Sequence, residues 1–225
     1  MPNRTQITAA KPKIRVLVVD DHPIVRQGFA QLINDTEDLE LAGEAGDAAA
    51  AMEALKRHRP DFAIVDISLK GGNGLDLTKS MLAERPDLPI LVVSMFDEGL
   101  YVERVLRAGA KGYLMKQEAT EKVIAAIRRI LSGELYVSEK MRDVLLQKLV
   151  TGQSPDATPL EKLSDRELEV MQLLGQGRGT RQIAETLHVS IKTVESHYAK
   201  IKEKCHLANV NELIQYAVKW FHSDS

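Results

Sequence analysis

Three aspartates, a lysine and a serine carry the first suggestion of chemistry. Asp20 and Asp21 stand side by side after the apolar run 14–19, and Asp66 follows the run 62–65. Ser94 ends a further run, 90–94, and Lys116 closes the run 112–115. Carboxylates gathered at one place cannot all stay ionised cheaply without a compensating cation. Their hard oxygens suit Mg2+, which keeps several waters and takes phosphate oxygens as further ligands. A lysine and a hydroxyl on the other side of the same cluster could hold an anion. Together the set fits phosphoryl transfer with one carboxylate as nucleophile. Taken singly, each has a plainer reading. An Asp after a strand caps a helix or lines a loop, a Lys is a solvated charge, and a Ser is a turn hydroxyl. Whether the five act together depends on the elements that carry them.

Those elements alternate. The runs 14–19, 39–44, 62–65, 90–94 and 112–115 are short and rich in Val, Ile and Leu, as strands buried on both faces are. Amphipathic stretches 23–33, 48–57, 74–84, 98–108 and 118–131 follow them in turn, the first with Pro23 at the opening helical position. Five strands, each followed by a helix, predict a doubly wound α/β domain with a five-stranded parallel sheet. Function in such sheets sits outside the carboxyl ends of the strands. If the first, third, fourth and fifth strands are neighbours, the five residues converge there.

After Gly133 the alternation stops. Residues 138–149 read as one helix, with Met141, Val144, Leu145 and Leu149 apolar. Residues 151–159 are small, polar and contain two prolines, the composition of a linker. The rest predicts a small all-α domain. Ser164-Asp-Arg-Glu167 is a capping box opening a helix to 174. Further helices span 180–187, 190–205 with Ser190 as N-cap, and 209–220. Ile183, Ala184 and Leu187 form an apolar face, continued by Val194, Tyr198, Ile201 and Cys205 at spacings of four, three and four. Two short helices across a tight turn make a helix-turn-helix or an ordinary helical hairpin. The last helix, with Leu213, Ala217, Trp220 and Phe221, either forms a dimer face or closes the domain core.

Charge separates the halves. The 225 residues carry 30 Lys and Arg against 32 Asp and Glu, which excludes a globally basic nucleic-acid binder. Between 178 and 204, however, 6 basic residues face 3 acidic ones. That patch fits phosphate contacts by one half-site of a dimer. Aromatic residues are 4%, too few for a base-stacking groove. A single cysteine, Cys205, forms no internal disulfide and reads as a small core residue. With no apolar run near the ~20 residues of a membrane span and no apolar signal core in 1–13, the expected location is cytoplasmic, without membrane partners.

The motifs resemble a known pairing. Residues 13–132 look like the receiver domain (flavodoxin-like) of bacterial two-component response regulators. The matching residues are Val-Val-Asp20-Asp21-His-Pro, Ile-Val-Asp66-Ile, Val-Val-Ser94 and Ala-Gly-Ala-Lys-Gly-Tyr113-Leu-Met-Lys116. The resemblance implies that Asp66 accepts a phosphoryl group from a sensor histidine kinase. It implies that Asp20, Asp21, Asp66 and the Ser68 backbone carbonyl hold Mg2+, and that Ser94 and Lys116 grip the phosphoryl oxygens. Tyr113 would turn inward when Ser94 moves. The family commonly has Pro four residues after the phosphorylated Asp and Pro after the Lys. Lys70 stands at the first position, so the loop 70–74 is expected to be more flexible than usual. Gln117 stands at the second, where a cis peptide would be mainly a proline feature.

Residues 160–225 resemble the LuxR-type DNA-binding domain. The signals are Leu-Ser-Asp-Arg-Glu167-Leu-Glu169-Val, then Gly-x-x-x-Arg-Gln-Ile183-Ala184-Glu, then Val-Ser190-Ile-Lys-Thr193-Val194-x-x-His197-x-x-x-Ile201-x-x-Lys204. The pair looks like the NarL/FixJ subfamily, with residues 133–159 as a helical and flexible linker. It implies a phosphorylation-controlled regulator that binds duplex promoter half-sites as a homodimer through the recognition helix 190–204. Lys192, Thr193, His197 and Lys200 would meet phosphates, and the outward face would present Glu195, Ser196 and Ala199 to the groove. Glu195 is either a solvated partner of a neighbouring lysine or an acceptor for a cytosine amino group. No external substrate is expected to be turned over, only self-phosphorylation and autodephosphorylation at Asp66.

Three rival readings fit less well. Gly71-Gly72-Asn73-Gly74 lacks the spacing of a nucleotide-binding loop. A haloacid-dehalogenase-type phosphatase would carry a second Asp where Ser68 stands. A receiver whose output is protein contact, with the helical module as its surface, is separated from a DNA reader by a gel shift.

Overall fold

The computed structural model describes residues 12–70, 72–151 and 159–223. Along the chain run β1 (Ile14–Val19), α1 (Pro23–Asn34), β2 (Leu39–Ala45), α2 (Ala48–His58) and β3 (Phe62–Asp66). A short pair follows, β4 (Ser68–Leu69) and β5 (Gly72–Asn73), then α3 (Gly74–Glu84). The α/β half ends with β6 (Ile90–Ser94), α4 (Glu98–Arg107), β7 (Gly112–Met115) and α5 (Lys116–Leu131). Five strands form one parallel sheet in the order β2-β1-β3-β6-β7. Every residue of β3 and β6 is buried, as expected where helices cover both faces.

The helices begin where local chemistry starts them. Pro23 sits in the first turn of α1, and the side chains of Asp47, Asn73 and Asp97 accept backbone hydrogen bonds at the starts of α2, α3 and α4. On one sheet face Phe29 and Ile33 of α1 and Val123 and Ile127 of α5 pack on Val16, Val18 and Ile64. On the other, Leu55, Met81 and Val102 pack on Leu17, Val65 and Val92.

Two sequence expectations need correction here. Asp66 is the last residue of β3 rather than following it, and Lys116 opens α5 rather than closing β7. In the loop region the β4–β5 hairpin sets Ser68 opposite Asn73 and Leu69 opposite Gly72, and residue 71, within the loop expected to be more flexible, lies outside the described residues. The Gly74 amide then donates to the Ile67 carbonyl at 2.7 Å. A Cβ on Gly74 would stand 1.9 Å from the Asp66 carbonyl oxygen, so only glycine lets α3 start so close to β3.

Past α5 the chain returns to the sheet. The Tyr136 amide donates to Lys111 O at 2.9 Å, and its carbonyl accepts from the Tyr113 amide at 2.8 Å. α6 (Glu139–Thr151) then packs along α4. Residues 152–158, most of the expected linker, lie outside the described residues. After a 3-10 turn at Pro159–Lys162 come α7 (Asp165–Gly175), α8 (Thr180–Thr186), α9 (Ile191–Cys205) and α10 (Val210–Ser223). The capping box forms: Ser164 N donates to Glu167 Oε2 at 2.7 Å, and Glu167 N to Ser164 Oγ at 3.3 Å. Leu168, Met171, Ile183, Val194, Ile201, Leu213 and Ala217 share the helical core. α10 therefore closes the domain with Leu213 and Ala217, while Val210 and Ile214 stay exposed on it.

Candidate functional site

Parallel pairing sets the rim. Asp66 lies beside Val93, and Ser94 beside Met115, so the ends of β3, β6 and β7 are level. Asp20 and Asp21 follow β1, the other neighbour of β3. The Lys116 ammonium reaches across and donates to Asp66 Oδ2 at 2.7 Å and to Asp20 Oδ2 at 2.6 Å. All three side chains are nearly or fully buried. Ligand atoms of Asp20, Asp21, His22 and Asp66 lie within 4.8 Å of one another.

Electrostatics show a site with too much negative charge. Burial raises the Asp66 carboxyl, Lys116 opposes this and Asp20 adds to it, leaving the pKa at about 7. Burial alone would lower the Lys116 pKa, but Asp66 and Asp20 outweigh it and hold the ammonium above its ordinary value. A hard divalent cation among these oxygens would relieve the repulsion, so the donor set fits Mg2+.

Ser94 and Tyr113 sit beneath. Ser94 Oγ accepts from Phe96 N at 3.3 Å, and the Tyr113 hydroxyl donates to Phe96 O at 2.7 Å. Tyr113 is buried and already turned inward. Burial pushes its phenol far up, while a hydrogen bond with Ser94 opposes the shift.

The helical half carries a second candidate surface. Ser190 caps α9 by accepting from Thr193 N at 3.1 Å. Lys192, Glu195, Ser196, Ala199 and Lys200 are exposed, while Val194, Tyr198 and Ile201 are buried. The outward face anticipated from spacing is thus present. Thr193 and His197 are half-buried. The His197 Nδ1 is buried without a hydrogen-bond partner, and burial followed by Arg166 lowers its pKa.

The two surfaces meet. Arg104 of α4 donates to Leu163 O and Asp165 Oδ1, both at 2.8 Å. Asn73 Nδ2 donates to Glu169 Oε1 at 2.6 Å, and Glu169 Oε2 takes Arg166 at 2.5 Å. His188, in the turn before α9, places Nε2 3.1 Å from Asp21 Oδ2. Sequence reasoning missed His22, whose only signal is its place after the acidic pair. It also missed Asn73, Glu169 and His188 as a cross-domain set. The usable signal was Glu169, a carboxylate among the apolar residues of its helix.

Comparison with known proteins agrees on both halves. The response regulator receiver domain profile matches residues 16–128, and that of the bacterial regulatory proteins, luxR family, matches 161–217. The chain is similar to the oxygen regulatory protein NreC of Staphylococcus carnosus, 39% identical over 211 residues, covering 92% of this chain and 97% of NreC. The fold is similar to RcsB of Salmonella typhimurium, with TM-score 0.65 and 27% identity over 93% of this chain and 98% of that one. It is also similar to RcsB from Salmonella enterica serovar Typhimurium bound to promoter P1flhDC in the presence of phosphomimetic BeF3-. There the TM-score is 0.61 and identity 28%, over 91% of this chain and 98% of that one.

Proposed function

Since the chain belongs to the response regulators that join a receiver domain to a LuxR-type DNA-binding domain, we propose that phosphorylation of Asp66 controls its binding to promoter DNA. The observation that carries this reading is Asp66 itself. It is a buried carboxylate at the carboxyl edge of the sheet, held at 2.7 Å by a lysine and grouped with two more aspartates.

An Asp66 oxygen forms the bond to phosphorus as the bond to a kinase histidine nitrogen breaks. Lys116 neutralises the phosphoryl oxygens, and Ser94 moves to donate to them. Tyr113, hydrogen-bonded at Phe96, follows that movement. Asp20, Asp21, Asp66 and the Ser68 carbonyl are the residues assigned to Mg2+, which when bound supplies charge neutralisation for the incoming phosphoryl group. Water later releases phosphate from Asp66, so no outside substrate is consumed. A groove of about 580 Å3 between α1 and α5, lined by Ile24, Phe29, Leu32 and Met95, opens beside Lys116 and suits an apolar helical face of the kinase.

Lys192, Thr193, Glu195, Ser196, His197, Ala199 and Lys200 form the DNA-facing surface, with promoter half-sites read by a homodimer. Recognition helices contact base edges through their N-terminal residues. Here that end lies two residues from His188, which rests on the receiver rim. That contact beside the N-terminal end of α9 supports a docked state of low DNA affinity. The working domains are 13–132, 133–159 and 160–225. Among the described residues no helix is long and apolar enough to cross a membrane.

The test is a gel shift on genomic fragments with and without a small phosphodonor. The reading requires tighter binding with the donor and a steep loss with salt. Binding that ignores the donor would sink phosphorylation control. Absence of any shift would leave protein contacts as the output.

A further inference from the structure

Asp21 is a residue with two claimants. Its Oδ1 lies 2.6 Å from His22 Nδ1 but is buried without a hydrogen bond, and its Oδ2 hydrogen-bonds His188 Nε2 at 3.1 Å. The Asp21 side chain is 6% exposed, so it has little water to fall back on. His22 is 63% exposed on the same loop and can swing away cheaply. His188 cannot move alone. It sits in the helix-turn-helix turn at φ 51, between α8 and α9, and its position is that of the whole domain. The same Asp21 carboxylate lies in the donor cluster assigned above to Mg2+.

We propose that Mg2+ and the docked DNA-binding domain compete for Asp21, so that metal binding loosens the domain before any phosphoryl group arrives. This rests on the reading of Asp20, Asp21 and Asp66 as the Mg2+ site. Mg2+ demands oxygen ligands at about 2.0–2.1 Å in near-octahedral geometry. An Asp21 oxygen turned toward the ion gives up its alignment with His188. The ion's charge also drains what the carboxylate offers to an N–H donor. Linkage makes the effect reciprocal: docking weakens Mg2+ binding by the factor through which Mg2+ weakens docking. The closed molecule is then a poor phosphoryl acceptor because its metal site is partly claimed. Opening and metal loading come first, and phosphorylation captures the opened state.

The test uses the full chain without phosphodonor. Mg2+ affinity is measured by calorimetry for wild type and for His188→Asn, a residue that tolerates the left-handed backbone but is too short to reach Asp21. His188→Gly is the second variant should the first fold poorly. The radius of gyration is followed by small-angle scattering as Mg2+ is added. The expected results are Mg2+ binding tighter by about 3- to 10-fold in the variant and a radius that grows with Mg2+ in wild type. Equal affinities with an unchanged radius would overturn the competition and leave the metal site standing. No saturable Mg2+ binding in either protein would overturn the metal site and the competition with it.

Discussion

Glu169 and Asn73 are 96 positions apart in the chain and joined by a 2.6 Å hydrogen bond in the fold. The contact ties the first helix of the DNA-binding domain to the hairpin beside Asp66. Glu169 is fully buried there, facing Arg166 and Asp165 on its own helix, Asp66 on β3 and Tyr101 on α4.

That burial makes docking depend on pH. Burial raises the Glu169 carboxyl from its ordinary 4.5 to about 7 against the pull of Arg166. Detachment that exposes Glu169 lowers its pKa toward the ordinary value, so the docked state binds more protons and its stability falls as pH rises through about 7. Scattering between about pH 5 and pH 8 should show the molecule expanding with pH, and Glu169→Gln should flatten the profile. An unchanged profile in that variant would assign the dependence to another group.

Asp66→Asn should bind promoter DNA in its basal mode and lose the stimulation by a phosphodonor, expected to be about tenfold or more. The measurement is a titrated gel shift with and without donor. A variant that still responds would place the acceptor elsewhere.

Gly74→Ala should cost about 3 kcal/mol or more in urea melts, because the new methyl meets the Asp66 carbonyl. Gly133→Ala meets no atom within 4 Å but holds a φ of 91, so about 1 kcal/mol is expected. Similar losses at the two positions would contradict the close approach of α3 to β3.

Arg104→Ala removes the donor to Leu163 O and Asp165. Docking should weaken, and DNA affinity without phosphodonor should rise by about 5- to 10-fold. Unchanged basal affinity would mean that the docked arrangement does not restrain DNA binding.

Glu195→Ala should relax preference at one or two base positions, by about 1–3 kcal/mol each, in a randomised-site selection. Uniform loss over all sequences would make Glu195 a positioning charge rather than a reader.

Much of this is legible in the sequence. The five strands announce themselves by apolar runs, and doubly wound topology then brings Asp20, Asp21, Asp66, Ser94 and Lys116 to one rim. Period and caps also gave the outward face of α9. What stayed hidden depends on side chains meeting across the molecule. Nothing near Asn73 indicates that its amide will find Glu169, and nothing near His188 indicates Asp21. The β4–β5 hairpin was hidden for a different reason. Two residues per strand leave no periodicity to read, and Gly74 suggests freedom where its close approach to Asp66 demands glycine.

The return of the chain at Tyr136 has a consequence for assembly. Its main chain bonds to Lys111 and Tyr113, along β7 at one margin of the sheet. A second molecule arriving at that bridge finds the pairing already taken and cannot extend the sheet there by adding a strand. Contact between copies on that side must then use side chains of the surrounding helices. Such contact can be made and broken without disturbing the hydrogen-bonded ladder beneath the rim that holds Asp66 and Lys116.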